Sequence, residues 1–202
     1  MIPSLPPEAG KGGARAERAV FDALKTQLTD AYYVYSRLSY IDDRRHTQGE
    51  VDFLVLHPTL GMLVLECKGE GVRRKVNGDW ERMVNDSWQP MKEGPFAQAE
   101  RTKYELVDKL KPRAKKILPK REGFPFVYGH GVIFPLSHVD DTVLPLHHPR
   151  TILFDADDLQ KLATRIPEAM DFWRTKAGRA APDALDPWEL KRFRKKALHP
   201  QL

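Results

Sequence analysis

Asp52, Glu66 and Lys68 sit in two segments that otherwise read as core strands, Gly49-Glu50-Val51-Asp52-Phe53-Leu54-Val55-Leu56 and Met62-Leu63-Val64-Leu65-Glu66-Cys67-Lys68. Side chains on a strand alternate faces, so Asp52 is expected beside Leu54 and Leu56, and Glu66 and Lys68 beside Met62 and Val64. Carboxylates leave water at a cost unless a cation or hydrogen bonds compensate. Two acids and a lysine converging at neighbouring strand ends would build a compact site for a divalent metal. Hydrolysing a phosphodiester needs charge neutralised at phosphorus, hydroxide near neutral pH and a stabilised leaving oxygen, and Mg²⁺ or Mn²⁺ on hard oxygen ligands contributes to all three. Lys68, two residues from Glu66, projects to the same side, where its ammonium could hold the nucleophile or shield the phosphate. The blander account is a buried Glu66–Lys68 ion pair. Such pairs seldom add much stability over apolar packing, which favours a working unit.

The elements that must position these groups are legible in the pattern. A Pro- and Gly-containing lead (residues 1–13) gives way to a helix from about Ala14 to Leu28, with Val20, Phe21, Leu24 and Leu28 as its apolar stripe. Glu17 falls on that stripe and points toward the sheet; the other account is an acid favoured near a helix start by the dipole. Tyr32–Tyr40 reads as a strand and Asp42–Gln48 as a loop, and His57-Pro58-Thr59-Leu60-Gly61 joins the two acid-bearing strands antiparallel. Asn77-Gly78 between Val72–Val76 and Trp80–Val84 marks a hairpin that extends the sheet. A helix over Phe96–Leu110 follows Pro95, with Phe96, Ala99, Lys103 or Tyr104, Val107 and Leu110 on one side, and ends before Pro112. Phe126–Phe134 and Thr151–Phe154 read as interior strands. Asp155 caps a helix through Arg165, and Pro167 opens another through Trp173. Ala177–Pro187 reads as a linker. This order excludes a simple alternating doubly wound fold and specifies an α/β chain with a mixed sheet and helices on its faces.

At 202 residues, 41% hydrophobic and 30% charged, the chain can bury one sizeable core. It contains no run of 18 apolar residues and opens without a secretory signal pattern, so the expected location is cytoplasmic, with no membrane partner. One cysteine, Cys67, excludes a disulfide framework and a cysteine-rich zinc site. The net charge of +5 is uneven: Lys191, Arg192, Arg194, Lys195 and Lys196 face only Glu189 in the tail from Trp188 to Pro200. A second basic cluster comprises Lys109, Lys111, Arg113, Lys115, Lys116, Lys120 and Arg121. Binding a phosphate backbone would require such clusters, although a solvated helix end also produces them. His130, His138, His147 and His148 match no helical metal-ligand spacing, and Lys11-Gly12-Gly13 lacks a full phosphate-loop pattern. Trp80 and Trp88 suit hairpin packing better than base stacking, and Cys67 points away from its charged neighbours as a small core residue.

The Glu17 helix, Gly49-Glu50-Val51-Asp52, Glu66-Cys67-Lys68-Gly69, Trp80 and Gly94-Pro95-Phe96-Ala97-Gln98, in that order, resemble the NERD (nuclease-related) domain of the PD-(D/E)XK restriction-endonuclease-like superfamily, over roughly residues 10 to 165. The resemblance implies a restriction-endonuclease-like αβββαβ core, here with an added β-hairpin and C-terminal helices. It implies a metal-dependent nuclease acting on DNA, in processing or repair. Asp52 and Glu66 would be the metal carboxylates, with the Cys67 backbone carbonyl completing the coordination and Glu17 contributing through water. Lys68 would position or activate the attacking water, and Gln98 matches the family glutamine on the helix after the strands. Two departures stand out: no proline precedes Asp52, and no tyrosine follows Gln98 at the four-residue spacing of some related nucleases. The expected organisation is a lead over 1–13, the nuclease-like domain over 14–176, and a linker with a basic segment over 177–202, which in a longer chain could lead into a further domain. NERD-like domains often precede a helicase or other DNA-processing part. The alternative is a catalytically silent nuclease-like module that binds nucleic acid or a partner domain.

Overall fold

The computed structural model describes residues 13–42, 47–69, 71–139, 149–178 and 181–198. Helix α1 (Gly13–Gln27) precedes three long strands, β1 (Tyr33–Asp42), β2 (Thr47–His57) and β3 (Gly61–Cys67). Three short strands follow, β4 (Val72–Arg74), β5 (Trp80–Val84) and β6 (Ser87–Pro90), and then helix α2 (Pro95–Ile117) and β7 (Tyr128–Ile133). The two-residue β8 (Leu153–Phe154), α3 (Leu162–Ala177) and α4 (Pro187–Ala197) follow, with short 3-10 turns at Arg150–Ile152 and Leu159–Lys161. The main sheet has the order β1-β2-β3-β7-β8, antiparallel through the first three strands and parallel from β3 onward. This is the αβββαβ order expected of the core, with β3 returning to β7 through α2.

The two faces of the sheet bury separate clusters. Leu38, Tyr40, Leu54, Leu56 and Val64 pack beneath α2 and α4, while Phe53, Val55, Leu63 and Leu65 pack beneath α1 and α3. β3 is buried along its whole length, as a strand covered on both faces must be. Lys103, not Tyr104, takes the core-facing position on α2; it is 2% exposed and Tyr104 is 49% exposed.

Several expectations change. The hairpin over residues 72–84 does not extend the main sheet but joins β6 in a second, three-stranded sheet. Trp80 docks that sheet onto the body by stacking on Phe134 at 6.1 Å, and a Cβ at Gly94 would overlap the indole. α2 runs through Pro112 to Ile117. Pro112 lies on the exposed side of the helix near the exposed Asp108, whose carbonyl loses its intrahelical partner where water can replace it. Pro167 lies inside α3 and does not begin a helix. Asp155 caps a turn, its Oδ1 accepting from the N–H of Asp157 at 3.0 Å and of Asp158 at 3.3 Å. β1 and β2 run into the expected 42–48 loop, of which residues 43–46 lie outside the described residues.

The segment read as linker and basic tail contains α4, which is docked on the core. Asp186 and Glu189 form a capping box. Phe193 is fully buried, 5.0 Å from the Phe126 ring. Arg121 fastens the approach to α4, donating to Glu189 and to the carbonyls of Asp183 and Ala184.

Candidate active site

Midway along β2, near the C-terminal end of β3, the two strands part. Their pairing ends at Phe53 and Leu65, one residue short of Asp52 and Glu66. Beyond that point Asp52 Oδ2 accepts a hydrogen bond from the Cys67 N–H at 2.8 Å, so a side chain takes the place of a ladder carbonyl. On the other side of β2, the position opposite Asp52 is Arg37, which has φ 53° and drops out of the otherwise continuous β1–β2 register. The left-handed residue shifts the alternation in both strands. Tyr33 and Tyr35, then Leu38 and Tyr40, face the α2 side, as do Leu56 and Leu54, then Val51. Asp52 therefore does not continue the Leu54 and Leu56 row as simple alternation predicts. It falls at the phase break and turns toward β3.

Glu66 keeps its expected place and is 4% exposed. Its Oε1 accepts from Lys68 Nζ at 2.5 Å, and the same ammonium donates to Gln98 Oε1 at 2.8 Å. Lys68 is held in turn by its backbone N–H, which donates to the Ile133 carbonyl at 2.9 Å. Gln98 comes from the first turns of α2, whose start is fixed by Pro95 at the first helical positions and the buried Phe96. The structure thus brings Asp52, Glu66, Lys68 and Gln98 together from three elements.

Glu17 approaches from α1 and is half-buried, beyond the first turn of the described helix, which contains no acid. It makes no hydrogen bond or ion pair among the described residues. Burial pushes its carboxyl up, and the charge of Asp52 adds to the rise. Burial, followed by the charge of Glu66, pushes Asp52 up to about 7 against the pull of the Cys67 N–H and Lys68. Burial also raises Glu66, although Lys68 opposes it. Burial and then the nearby charges of Asp52, Glu17 and Glu66 push the Cys67 thiol well up, which disfavours a thiolate there.

The donor set fits a hard divalent cation. Asp52 Oδ1 and Glu66 Oε2 accept no hydrogen bond from the described residues, and burial disfavours ionisation of both, with the charge of Glu66 adding to the effect on Asp52, a cost that a cation would offset. Among the described residues no group of three His, Cys, Asp or Glu side chains stands close enough to hold a metal ion by itself. A cation here would rest on two carboxylates, with any further ligands from backbone or water. The histidines do not gather: His130 is buried under α2, His138 pairs with Asp157, and His147 and His148 lie outside the described residues.

Two neighbours escape a reading of the sequence. Arg101, one turn after Gln98, forks between Glu93 and Glu105, and its charge favours the ionised form of Glu66. Its signal is the i,i+4 pairing with Glu105. Arg37 ion pairs with Glu50 at 3.6 Å and favours ionised Glu17. No residue-type rule announces a left-handed arginine.

The two basic clusters meet away from this centre. Arg113 and Lys116 of α2 and Arg192 and Lys196 of α4 line a groove of about 420 Å³ with Ile117 and no acid. Lys116 is eighteen residues from Gln98, about five turns, so both lie on one flank of α2 about 27 Å apart.

Fold and site together define a nuclease-like mixed α/β domain. Residues 12–134 match the family model of the nuclease-related domain, and the chain belongs to this NERD family. The match ends at Phe134, before β8, α3 and α4. Neither the curated proteins nor the solved structures compared with the chain give a match. Among the described residues no helix is long and apolar enough to cross a membrane.

Proposed function

We propose that the domain hydrolyses DNA phosphodiester bonds with Mg²⁺ or Mn²⁺. The observation that carries this reading is the parting of β2 and β3, which leaves Asp52 and Glu66 each with an uncommitted oxygen beside an ammonium held between Glu66 and Gln98. Asp52 and Glu66 would hold the ion, with the Cys67 carbonyl and, through water, Glu17. What Mg²⁺ or Mn²⁺ supplies when bound is a more acidic water and charge neutralisation at the phosphoryl oxygens. Lys68 keeps an N–H for the attacking water or the phosphate, and Gln98 Oε1 accepts from the ammonium so that it does not fold entirely onto Glu66. The groove between α2 and α4 supplies positive charge for the phosphate backbone at a distance of about eight base-pair steps.

The test is digestion of circular and linear DNA by wild type and Lys68→Ala side by side, with Mg²⁺, Mn²⁺ or EDTA. Cleavage by wild type alone, lost in EDTA, supports the reading. One observation favours the alternative of a silent binding module: Lys68 already neutralises Glu66, and no third acid completes a cluster among the described residues. Salt-dependent DNA binding that is unchanged in Asp52→Ala, with no cleavage by either protein, would establish that alternative.

A further inference from the structure

A cavity lies toward the Tyr128 end of β7. β8 pairs only with Val132 and Ile133, so among the described residues no strand lies beside this edge of β7 from Tyr128 to Gly131. Trp173 of α3 fills the gap: its Nε1–H donates to the His130 carbonyl at 2.9 Å, and the indole lies where a Cβ at residue 129 would be, a place that only glycine leaves open.

Over this indole stand two ammonium groups. Lys103 Nζ and Lys176 Nζ are each 5.0 Å from the Trp173 ring. Lys103 is the buried member; its Nζ is 3.2 Å from His130 Nδ1 and 4.0 Å from the Tyr104 ring centre. The half-exposed Glu100 is 3.7 Å from Lys103, and Lys111, also nearby, pairs with the exposed Asp108 at 3.3 Å. Both acids face solvent, and of the three lysines only Lys103 is buried. Burial, with Lys176 adding to it, holds the Lys103 amine below its ordinary range despite Glu100. A cavity of about 460 Å³ opens here, lined by Lys103, Lys111 and Lys176 and by Tyr104, Tyr128 and Trp173 among other rings. Sites for small ligands span roughly 300–1,000 Å³ and combine apolar walls with a few convergent polar groups.

Three cations with two solvent-facing acids call for an anion, and the aromatic walls call for a planar ring attached to it. We propose that this cavity binds a nucleotide, its phosphate on Lys103 and Lys176 and its base among the rings. The cavity is lined by none of Asp52, Glu66, Lys68 and Gln98, and Tyr128 lies four residues, about 13 Å, along β7 from Val132, the partner of Glu66. It also draws on α3, outside the family match. The same chemistry could come from a free mononucleotide or from the phosphorylated end of a strand.

Calorimetric titration of the full chain in EDTA with dAMP, deoxyadenosine, inorganic phosphate and 5′-phosphorylated or 5′-hydroxyl hexadeoxyadenylate tests the proposal. dAMP should bind at least about tenfold more tightly than deoxyadenosine or phosphate alone, and lose about tenfold or more in Lys103→Met and in Lys176→Ala. Asp52→Asn should bind dAMP as wild type does. A phosphorylated hexamer that outcompetes dAMP identifies a strand end as the ligand, and equal binding identifies the free nucleotide. If Lys103→Met fails to fold, the exposed Lys176→Ala decides. No binding of dAMP at millimolar concentration, or binding unchanged in Lys176→Ala, overturns the proposal.

Discussion

Asp52 is bonded to the backbone of Cys67, the residue next to its fellow acid Glu66: Oδ2 accepts from the Cys67 N–H at 2.8 Å. The bond lets β2 and β3 separate without leaving a buried N–H unsatisfied, and it holds one carboxylate oxygen so that the other is presented. Asparagine can keep the bond but not the charge. Asp52→Asn is therefore expected to fold while losing metal-dependent cleavage by roughly 10³-fold, the loss of several kcal/mol of metal-derived stabilisation. Initial rates on linear DNA with Mn²⁺ measure this, and a variant within tenfold of wild type would remove Asp52 from the site.

The same substitution should change the pH dependence of stability. The Asp52 carboxyl ionises near its ordinary 3.8 in the unfolded chain and at about 7 in the fold. Between those values the folded chain holds a proton that the unfolded chain has released, so this group's contribution to stability falls as pH rises. In EDTA, Tm of wild type should drop relative to Asp52→Asn between pH 5 and pH 8. Metal binding must expel that proton, so Mg²⁺ affinity of wild type should weaken below about pH 7. Parallel Tm curves for the two proteins would contradict the first expectation.

Lys68 and Gln98 should separate in their kinetics. Lys68→Met removes the ammonium and is expected to lower kcat on the order of 10²–10³-fold. Gln98→Ala leaves the ammonium in place but frees it to settle on Glu66, and a loss of about tenfold in kcat is expected with KM little changed. Equal losses in the two variants would mean that Gln98 acts on the substrate directly.

The groove between α2 and α4 should act on affinity alone. Lys116→Glu and Arg192→Glu are expected to weaken DNA binding and to lower the slope of log K against log salt by about one for each phosphate that is no longer neutralised. Turnover at saturating DNA should persist. Fluorescence anisotropy at several salt concentrations gives the slope, and an unchanged slope would show that the groove is not on the DNA path.

Phe193→Ala tests whether α4 is integral to the domain. A fully buried phenylalanine truncated to alanine costs about 3–5 kcal/mol, measurable by urea denaturation, whereas truncation on a loose tail would cost nothing.

Much of the fold and site is readable in the sequence because strands and their turns obey short-range rules. Glu66 and Lys68 announce themselves by breaking an apolar run, and Glu17 by its place on a helical stripe. Asp52 stands out by residue type, but alternation assigns it to the wrong row, because the phase break depends on the backbone angle of Arg37, a residue fifteen positions away. α4 reads as a tail when its lysines and arginines are weighed first. Leu190, Phe193 and Ala197 at helical spacing, preceded by Asp186 and Glu189, carry the true signal. Pro112 and Pro167 read as breaks because propensity ignores which side of a helix faces water. Gln98 has no signal of its own in the residue pattern, and only the approach of α2 to Lys68 gives it a partner.

Arg37 has a further effect. Among the described strands β1 is an outermost one, ten residues long, and a flat strand of that length in such a position is a template onto which another copy can add its own. At φ 53° the peptide units around Arg37 turn out of line, dividing the template into two short pieces with a charge at the junction. The distortion that aims Asp52 at β3 thus also makes this edge a poorer template for an added strand.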